Sequence, residues 1–250
     1  MRTGNIEMGA FMTKIKICGL KRLEDIEYVN ELLPDYVGFV FAKSKRQVTM
    51  EKSKELIGKL NKNIKTVGVF VDEDIKKVKE IAENLKLDVL QFHGKEDEEY
   101  FSSLKEFELW KSVSIKVDLT QPKTATQEKN GDLLDAHKIN HENSNDFYNL
   151  KEYQKDLDKL NKYNIEAVLL DSSVKGVQGG TGISFDWGVI SKLNINKNLI
   201  LAGGLNPNNV CEAVDIVKPF AVDVSSGVET EGVKDFNKIK TFIEKVRNIK

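Results

Sequence analysis

Only two cysteines, Cys18 and Cys211, occur in the 250 residues. They lie far apart and lack metal-ligand spacing, which argues against a disulfide framework and points to a reducing, cytoplasmic setting. Charge of one sign is missing as well. Lys plus Arg number 38 against 39 Asp plus Glu, a formal net charge of -1, so nothing draws the whole chain to nucleic acid or to an anionic membrane. The expected partner is a small molecule. No segment approaches the ~18 consecutive apolar residues of a membrane span, and the opening MRTGNIEMGAFM has no apolar h-region of a secretory signal. Because Met12 is followed at once by a strand-like run, Met1 to Phe11 is read as a flexible extension or an alternative start, and the fold is expected to begin at Lys14.

What the sequence does hold is a rhythm. Eight short runs rich in Val, Ile, Leu and Phe recur: Lys14 to Cys18, Asp35 to Phe41, Ile64 to Val71, Asp88 to Phe92, Leu109 to Ile115, Ile165 to Asp171, Asn198 to Gly203 and Phe220 to Ser225. Most are continuous rather than alternating, as expected of parallel strands covered on both faces. Amphipathic stretches separate most of them: Leu23 to Leu33, Met50 to Leu60, Asp74 to Lys86, Tyr100 to Phe107, Asp186 to Leu193, Asn208 to Val217 and Phe236 to Val246. An open doubly wound sheet would alternate in the same way, but eight units in about 235 residues favour one closed α/β barrel, a (β/α)8 fold of the TIM type. One polar stretch, 116–149, breaks the pattern before helical spacing resumes near Leu150. It reads as a surface insertion after strand five, with a lid over the mouth as the alternative.

In such a barrel the chemistry sits where strands end. Strand one ends in Cys18-Gly19; alone, Cys18 reads more readily as a small buried filler than as a thiolate, and thiolate chemistry needs nearby positive charge. Strand six ends in Asp171, a buried-run carboxylate that could equally be a cap or an ion-pair partner. Arg46, after strand two, has the planar fork to hold a carboxylate, with a basic surface loop as the alternative. Gly180 after strand six, Gly203 and Gly204 after strand seven, and Ser225, Ser226 and Gly227 after strand eight are small residues at adjacent strand ends. They can offer backbone N–H groups to a phosphate, aided by a short extra helix. Walker A and dinucleotide spacings are both missing, so the ligand expected is a phosphorylated metabolite. His93 ends strand four and is either a substrate contact or a structural histidine. His137 and His141 have helical spacing but no accompanying general base in the metalloprotease order, so no metal is expected. Cys211 falls on a helix stripe and reads as core.

Seven segments taken together carry a resemblance. KIKICGL at Lys14 to Leu20, VGFVFAKSKR at Val37 to Arg46, LQFHG at Leu90 to Gly94, LLDS at Leu169 to Ser172, GGTGISFDW at Gly179 to Trp187, LAGGLNPNNV at Leu201 to Val210 and VDVSSGVE at Val222 to Glu229 resemble, in order, the phosphoribosylanthranilate isomerase family. The departures are the N-terminal extension, the insertion after strand five, and Lys45 where the family commonly has proline. The resemblance implies an Amadori rearrangement in tryptophan biosynthesis that needs no cofactor, with Asp171 as acid and Cys18 as base. It further implies Arg46 on the anthranilate carboxylate, Gln91, His93 and Asp223 as substrate contacts, and the glycine and serine loops on the phosphate. Monomer and homodimer both stay open. A related synthase would need a catalytic lysine at a strand end, and none stands out; a non-catalytic sensor would keep the phosphate loops without needing both Cys18 and Asp171.

Overall fold

The computed structural model describes residues 12–117, 150–174 and 187–249. Within these, eight parallel strands close into a barrel in sequential order: β1 (Lys14–Cys18), β2 (Tyr36–Val40), β3 (Lys65–Phe70), β4 (Val89–Phe92), β5 (Glu108–Val117), β6 (Ala167–Val174), β7 (Asn198–Ala202) and β8 (Ala221–Val224). Ladder pairing from Lys14 to Ala221 and from Ile17 to Val224 joins β1 to β8 and completes the ring. Helices α1 (Leu23–Leu32), α2 (Met50–Ile57), α3 (Ile75–Leu85), α4 (Glu98–Ser102), α5 (Leu150–Leu160), α6 (Val210–Val217) and α7 (Phe236–Arg247) lie between and after the strands. A short hairpin of β9 (Glu229–Thr230) and β10 (Val233–Lys234) follows β8. No helix among the described residues is long and apolar enough to cross a membrane.

Each strand buries both faces. The larger cluster, between strands and helices, is built from residues such as Ile15, Ile17, Phe39, Phe70, Leu90 and Leu170. The in-phase partners Tyr36, Val67, Val89, Trp110, Ala167, Leu169, Ile200 and Ala221 fill the barrel interior. Tyr36 and Trp110 meet edge to face at 5.0 Å, and the indole Nε1 donates to Glu108 Oε1 at 3.0 Å, so the largest interior ring leaves no polar atom stranded. At the N-terminal face one device recurs. Asp35 Oδ2 accepts from the Ile15 amide at 2.9 Å, Asp88 Oδ2 from the Thr66 amide at 2.7 Å, and Glu166 Oε2 from the Leu109 amide at 2.6 Å. A carboxylate ahead of one strand thus ties down the strand before it, and the closed end of the barrel is fixed by charge-assisted bonds.

Four elements differ from the sequence expectation. Helix α4 starts at Glu98 rather than Tyr100, because Asp97 accepts from the Tyr100 amide at 3.0 Å and caps it. It gives way after Ser102 to turns that reach β5. The stripe expected from Asp186 is a 3-10 turn over Trp187–Lys192, where Gly188 and the β-branched Val189 and Ile190 weaken an α-helix. Strands β5 and β6 run past their expected ends and pair through Val117 and Val174, whereas β7 leaves β6 at Asp171. The insertion after β5 from residue 118, the N-terminal stretch 1–11, and His137 and His141 lie outside the described residues.

Candidate active site

The C-terminal ends of the strands surround a cavity of about 450 Å³, a volume suited to a small-molecule ligand. Its lining includes Cys18 from β1, Gln91 and His93 from β4, Asp171 from β6 and Asp223 from β8, with Arg46 from the loop after β2. Gly203, Gly204, Ser225, Ser226 and Gly227 line the same space. Residues far apart in the chain are therefore gathered at one mouth, and Gly180 alone among the expected site residues lies outside the described residues.

Cys18 points inward because it is in register with Gly38, which is in register with the interior Val67. The chain then turns at Gly19 with φ of 82°, a conformation glycine adopts without a Cβ clash. A Cβ at Gly38 would stand 2.7 Å from Cys18 Sγ, so the missing side chain on β2 makes the room the thiol occupies. Burial pushes the thiol's pKa up, opposed first by the nearby Lys16 ammonium and also by Lys234. Across the ring, burial and the charge of Asp223 raise the Asp171 carboxyl, so it holds its proton to higher pH than an ordinary aspartate. The thiol does not share the net downward shift that a free-standing base would want; its ionisation depends on the cations around it.

Asp223 is 9% exposed, accepts a hydrogen bond from Lys16 Nζ at 2.8 Å through Oδ2, and has a buried Oδ1 with no hydrogen-bond partner among the described residues. Gln91 Nε2 lies 2.6 Å from His93 Nε2, and burial together with Lys16 lowers the histidine to about 4. A neutral imidazole at pH 7 follows, with Nε2 as an acceptor. Gln91 Oε1 is likewise buried without a partner.

Arg46 is paired at the mouth. Its Nε and Nη2 bind Glu229 Oε1 and Oε2 in a fork, both at 2.8 Å. Glu229 also accepts from Lys234 Nζ at 2.7 Å, and Lys234 reaches back to the Ser225 carbonyl at 3.0 Å. Burial works against ionised Glu229, yet the two cations win and hold it down at about 2. This chain of contacts ties the loop after β2 to the serine loop after β8. The serine loop leads into a 3-10 turn, Ser226–Val228, the short helical element expected there. Gly203 and Gly204 take positive φ of 88° and 65°. Gly227 packs so closely on the loop after β7 that a Cβ would fall 1.8 Å from the Leu205 carbonyl oxygen. The two loops are thereby held side by side beneath the same opening.

Lys16, Glu229 and Lys234 belong to the site but are not singled out by the sequence alone. The signal for Lys16 was its phase: it is two residues before Cys18 and shares its face of the strand. No group of three or more His, Cys, Asp or Glu side chains fit to hold a metal occurs among the described residues.

The closed ring and a polar mouth at its C-terminal rim define the class, a (β/α)8 barrel of the enzyme type. A family model described as N-(5'-phosphoribosyl)anthranilate (PRA) isomerase matches residues 15–157 and 144–245. The chain belongs to that family. It is 48% identical over 239 residues to the N-(5'-phosphoribosyl)anthranilate isomerase of Thermoanaerobacter pseudethanolicus, covering 96% of this chain and 100% of the relative. A crystal structure of phosphoribosyl anthranilate isomerase in complex with reduced 1-(o-carboxyphenylamino)-1-deoxyribulose 5-phosphate superimposes with a TM-score of 0.68 at 31% identity, covering 94% of this chain and 98% of the other. Monomers generated from the dimeric enzyme of Thermotoga maritima give a TM-score of 0.66 at 32% identity, covering 95% and 100%.

Proposed function

We propose that the chain is the phosphoribosylanthranilate isomerase of tryptophan biosynthesis, converting N-(5-phosphoribosyl)anthranilate to 1-(2-carboxyphenylamino)-1-deoxyribulose 5-phosphate. The observation that carries the chemistry is the placement of Cys18 and Asp171, on strands well separated around the ring, in the wall of one cavity that also holds the glycine and serine loops. Protonated Asp171 gives its proton to the furanose ring oxygen, the C1–O bond breaks, and the anilino nitrogen takes up the positive charge as an iminium. Cys18, as thiolate, removes the proton on C2, and the C–H electron pair forms the C1–C2 double bond of an enolamine. Tautomerisation to the aminoketose completes the isomerisation with no net loss of atoms or electrons. The elevated carboxyl of Asp171 suits the acid role, and Lys16 beside Cys18 supplies the positive charge that ionising the thiol to a base requires.

Gly203, Gly204, Ser225, Ser226 and Gly227 are assigned to the phosphate, together with Gly180. Arg46 is assigned to the anthranilate carboxylate, its guanidinium oriented by Glu229. Asp223 offers its unpaired Oδ1 to a sugar hydroxyl, and Gln91 and His93 border the ribose. The protein works on this small molecule in the cytoplasm, as a monomer or a homodimer, without nucleic acid or membrane. A synthase-type reading needs a lysine presented to substrate; Lys16 is 0% exposed, is paired with Asp223, and sits below the mouth.

The test is the loss of anthranilate fluorescence on adding purified protein to freshly made phosphoribosylanthranilate. Wild type should convert it, and Cys18→Ala or Asp171→Asn should lower kcat by roughly 10²–10⁴ with the fold intact. Normal turnover in both variants would refute the acid and base assignments.

A further inference from the structure

A lysine with no exposed surface is an expensive residue to keep inside a barrel. Taking its ammonium out of water carries a heavy desolvation cost, and a hydrophobic residue of similar volume would often be as stable or better. Lys16 nonetheless occupies the interior of β1, in a strand whose other side packs Ile15 and Ile17 into the apolar core. Its position is informative. Lys16 and Cys18 lie on the same inner face two residues apart, and both side chains converge on the backbone of Gly38: a Cβ there would stand 2.7 Å from Cys18 Sγ and 3.2 Å from Lys16 Nζ. Behind the ammonium, Asp223 Oδ2 accepts its hydrogen bond at 2.8 Å. Lys16 is therefore fixed between a carboxylate on β8 and a thiol on its own strand, under the floor of the cavity rather than in its lining.

We propose that Lys16, braced by Asp223, is a positioning residue that stabilises the Cys18 thiolate as the reaction's base. The proposal rests on the assignment of Cys18 as base. Ionising the thiol adds a negative charge next to the buried Lys16–Asp223 pair. The ammonium meets that charge directly, and in a water-poor site such preorganised charge acts strongly. Other charged groups face the thiol from the surrounding elements. Lys234 of β10 and Arg46 of the loop after β2 favour the thiolate, but both are engaged by Glu229. Asp223 of β8 opposes it. Asp171 of β6 and His93 of β4 border the same cavity, Asp171 as the proposed proton donor and His93 as a neutral ring. Lys16 is first among the influences that lower the thiol, and its own charge is reinforced by both Asp223 and Cys18.

The test uses a Cys211→Ala background, in which Cys18 is the only thiol, and measures iodoacetamide alkylation against pH without substrate. Adding Lys16→Met should raise the alkylation midpoint by at least about one pH unit, slowing the reaction at pH 7 roughly tenfold. It should also lower kcat in step, with KM within about threefold. A folded Lys16→Met protein whose midpoint is unchanged, or whose loss lies only in KM, overturns the proposal. Should the single variant fail to fold for want of a partner to Asp223, the Lys16→Met/Asp223→Asn protein is read by its midpoint against that of Asp223→Asn alone, so that the opposing charge of Asp223 is absent from both: raised supports the role, unchanged refutes it. Normal turnover by Cys18→Ala would instead sink the base assignment itself, which the substrate-free midpoint does not measure.

Discussion

Replacing Gly38 with alanine introduces a single methyl group, and the structure says where it lands. The new Cβ would be 2.7 Å from Cys18 Sγ, 3.2 Å from Cys18 Cα and 3.2 Å from Lys16 Nζ. Ordinary contacts between heavy atoms of this kind lie near ~3.5–4.0 Å, so the thiol must retreat by about 1 Å. The backbone at Gly38 is not in the left-handed region, so alanine adds no conformational strain and the whole effect falls on its neighbours. Overpacking of this size costs about 1–3 kcal/mol of stability. A misplacement of about 1 Å at a reacting group can cost on the order of 100-fold in rate, which is about 2.7 kcal/mol of barrier. The expected variant is folded, with a lowered urea midpoint, and binds substrate through distant phosphate and carboxylate contacts that the methyl does not touch. In the fluorescence assay kcat should drop by roughly 100-fold with KM changed far less. A Gly38→Ala enzyme whose kcat stays within about threefold of wild type would refute the claim that this glycine makes room for a reacting thiol.

Two further outcomes follow from the ion network and the histidine. Glu229→Gln leaves Lys234, 4% exposed, without its carboxylate and should cost about 3–5 kcal/mol in urea unfolding, with a weaker hold on substrate as Arg46 loses its fork. Because Glu229 is depressed from 4.5 to about 2, its stabilisation is complete above the unfolded value and is lost as pH falls from 4.5 toward 2; the wild-type stability curve should slope there and the variant's should be flatter, and identical slopes would contradict the ion pair. His93, lowered to about 4 by burial, should stay neutral from pH 5.5 to 8, so its imidazole proton resonances should not move over that range. A midpoint near the ordinary value of 6.5 would show a ring far more solvated than the structure has it.

Much of the architecture could be read from the sequence because a buried parallel strand is written as an unbroken apolar run. Each of the eight runs became a strand, with ends shifted by a few residues at most. The exceptions have local causes: Asp97 caps α4 earlier than the apolar stripe suggests, and β5 and β6 extend beyond the ring because they pair with each other. Cys18, Asp171 and the glycine and serine loops stood out because they end strands. The partners did not, since Arg46 meets Glu229 across 183 residues of sequence and nothing local announces the pairing. Lys16 is hidden for a different reason: a lysine in a short strand is ordinarily solvated, and only the closed ring reveals that its face is the interior. Cys211, expected in the core, is half-buried and packs against it.

The most direct measurement is a crystal structure of this protein soaked with the reduced product analogue. The open sugar chain should lie between Cys18 and Asp171, each within roughly 2.6–3.5 Å of it, with the phosphate on the amides of Gly203, Gly204 and Ser225 to Gly227 and the carboxylate on Arg46. A ligand bound in the mouth with neither the thiol nor the Asp171 carboxyl in reach of its sugar carbons and oxygens would contradict this placement.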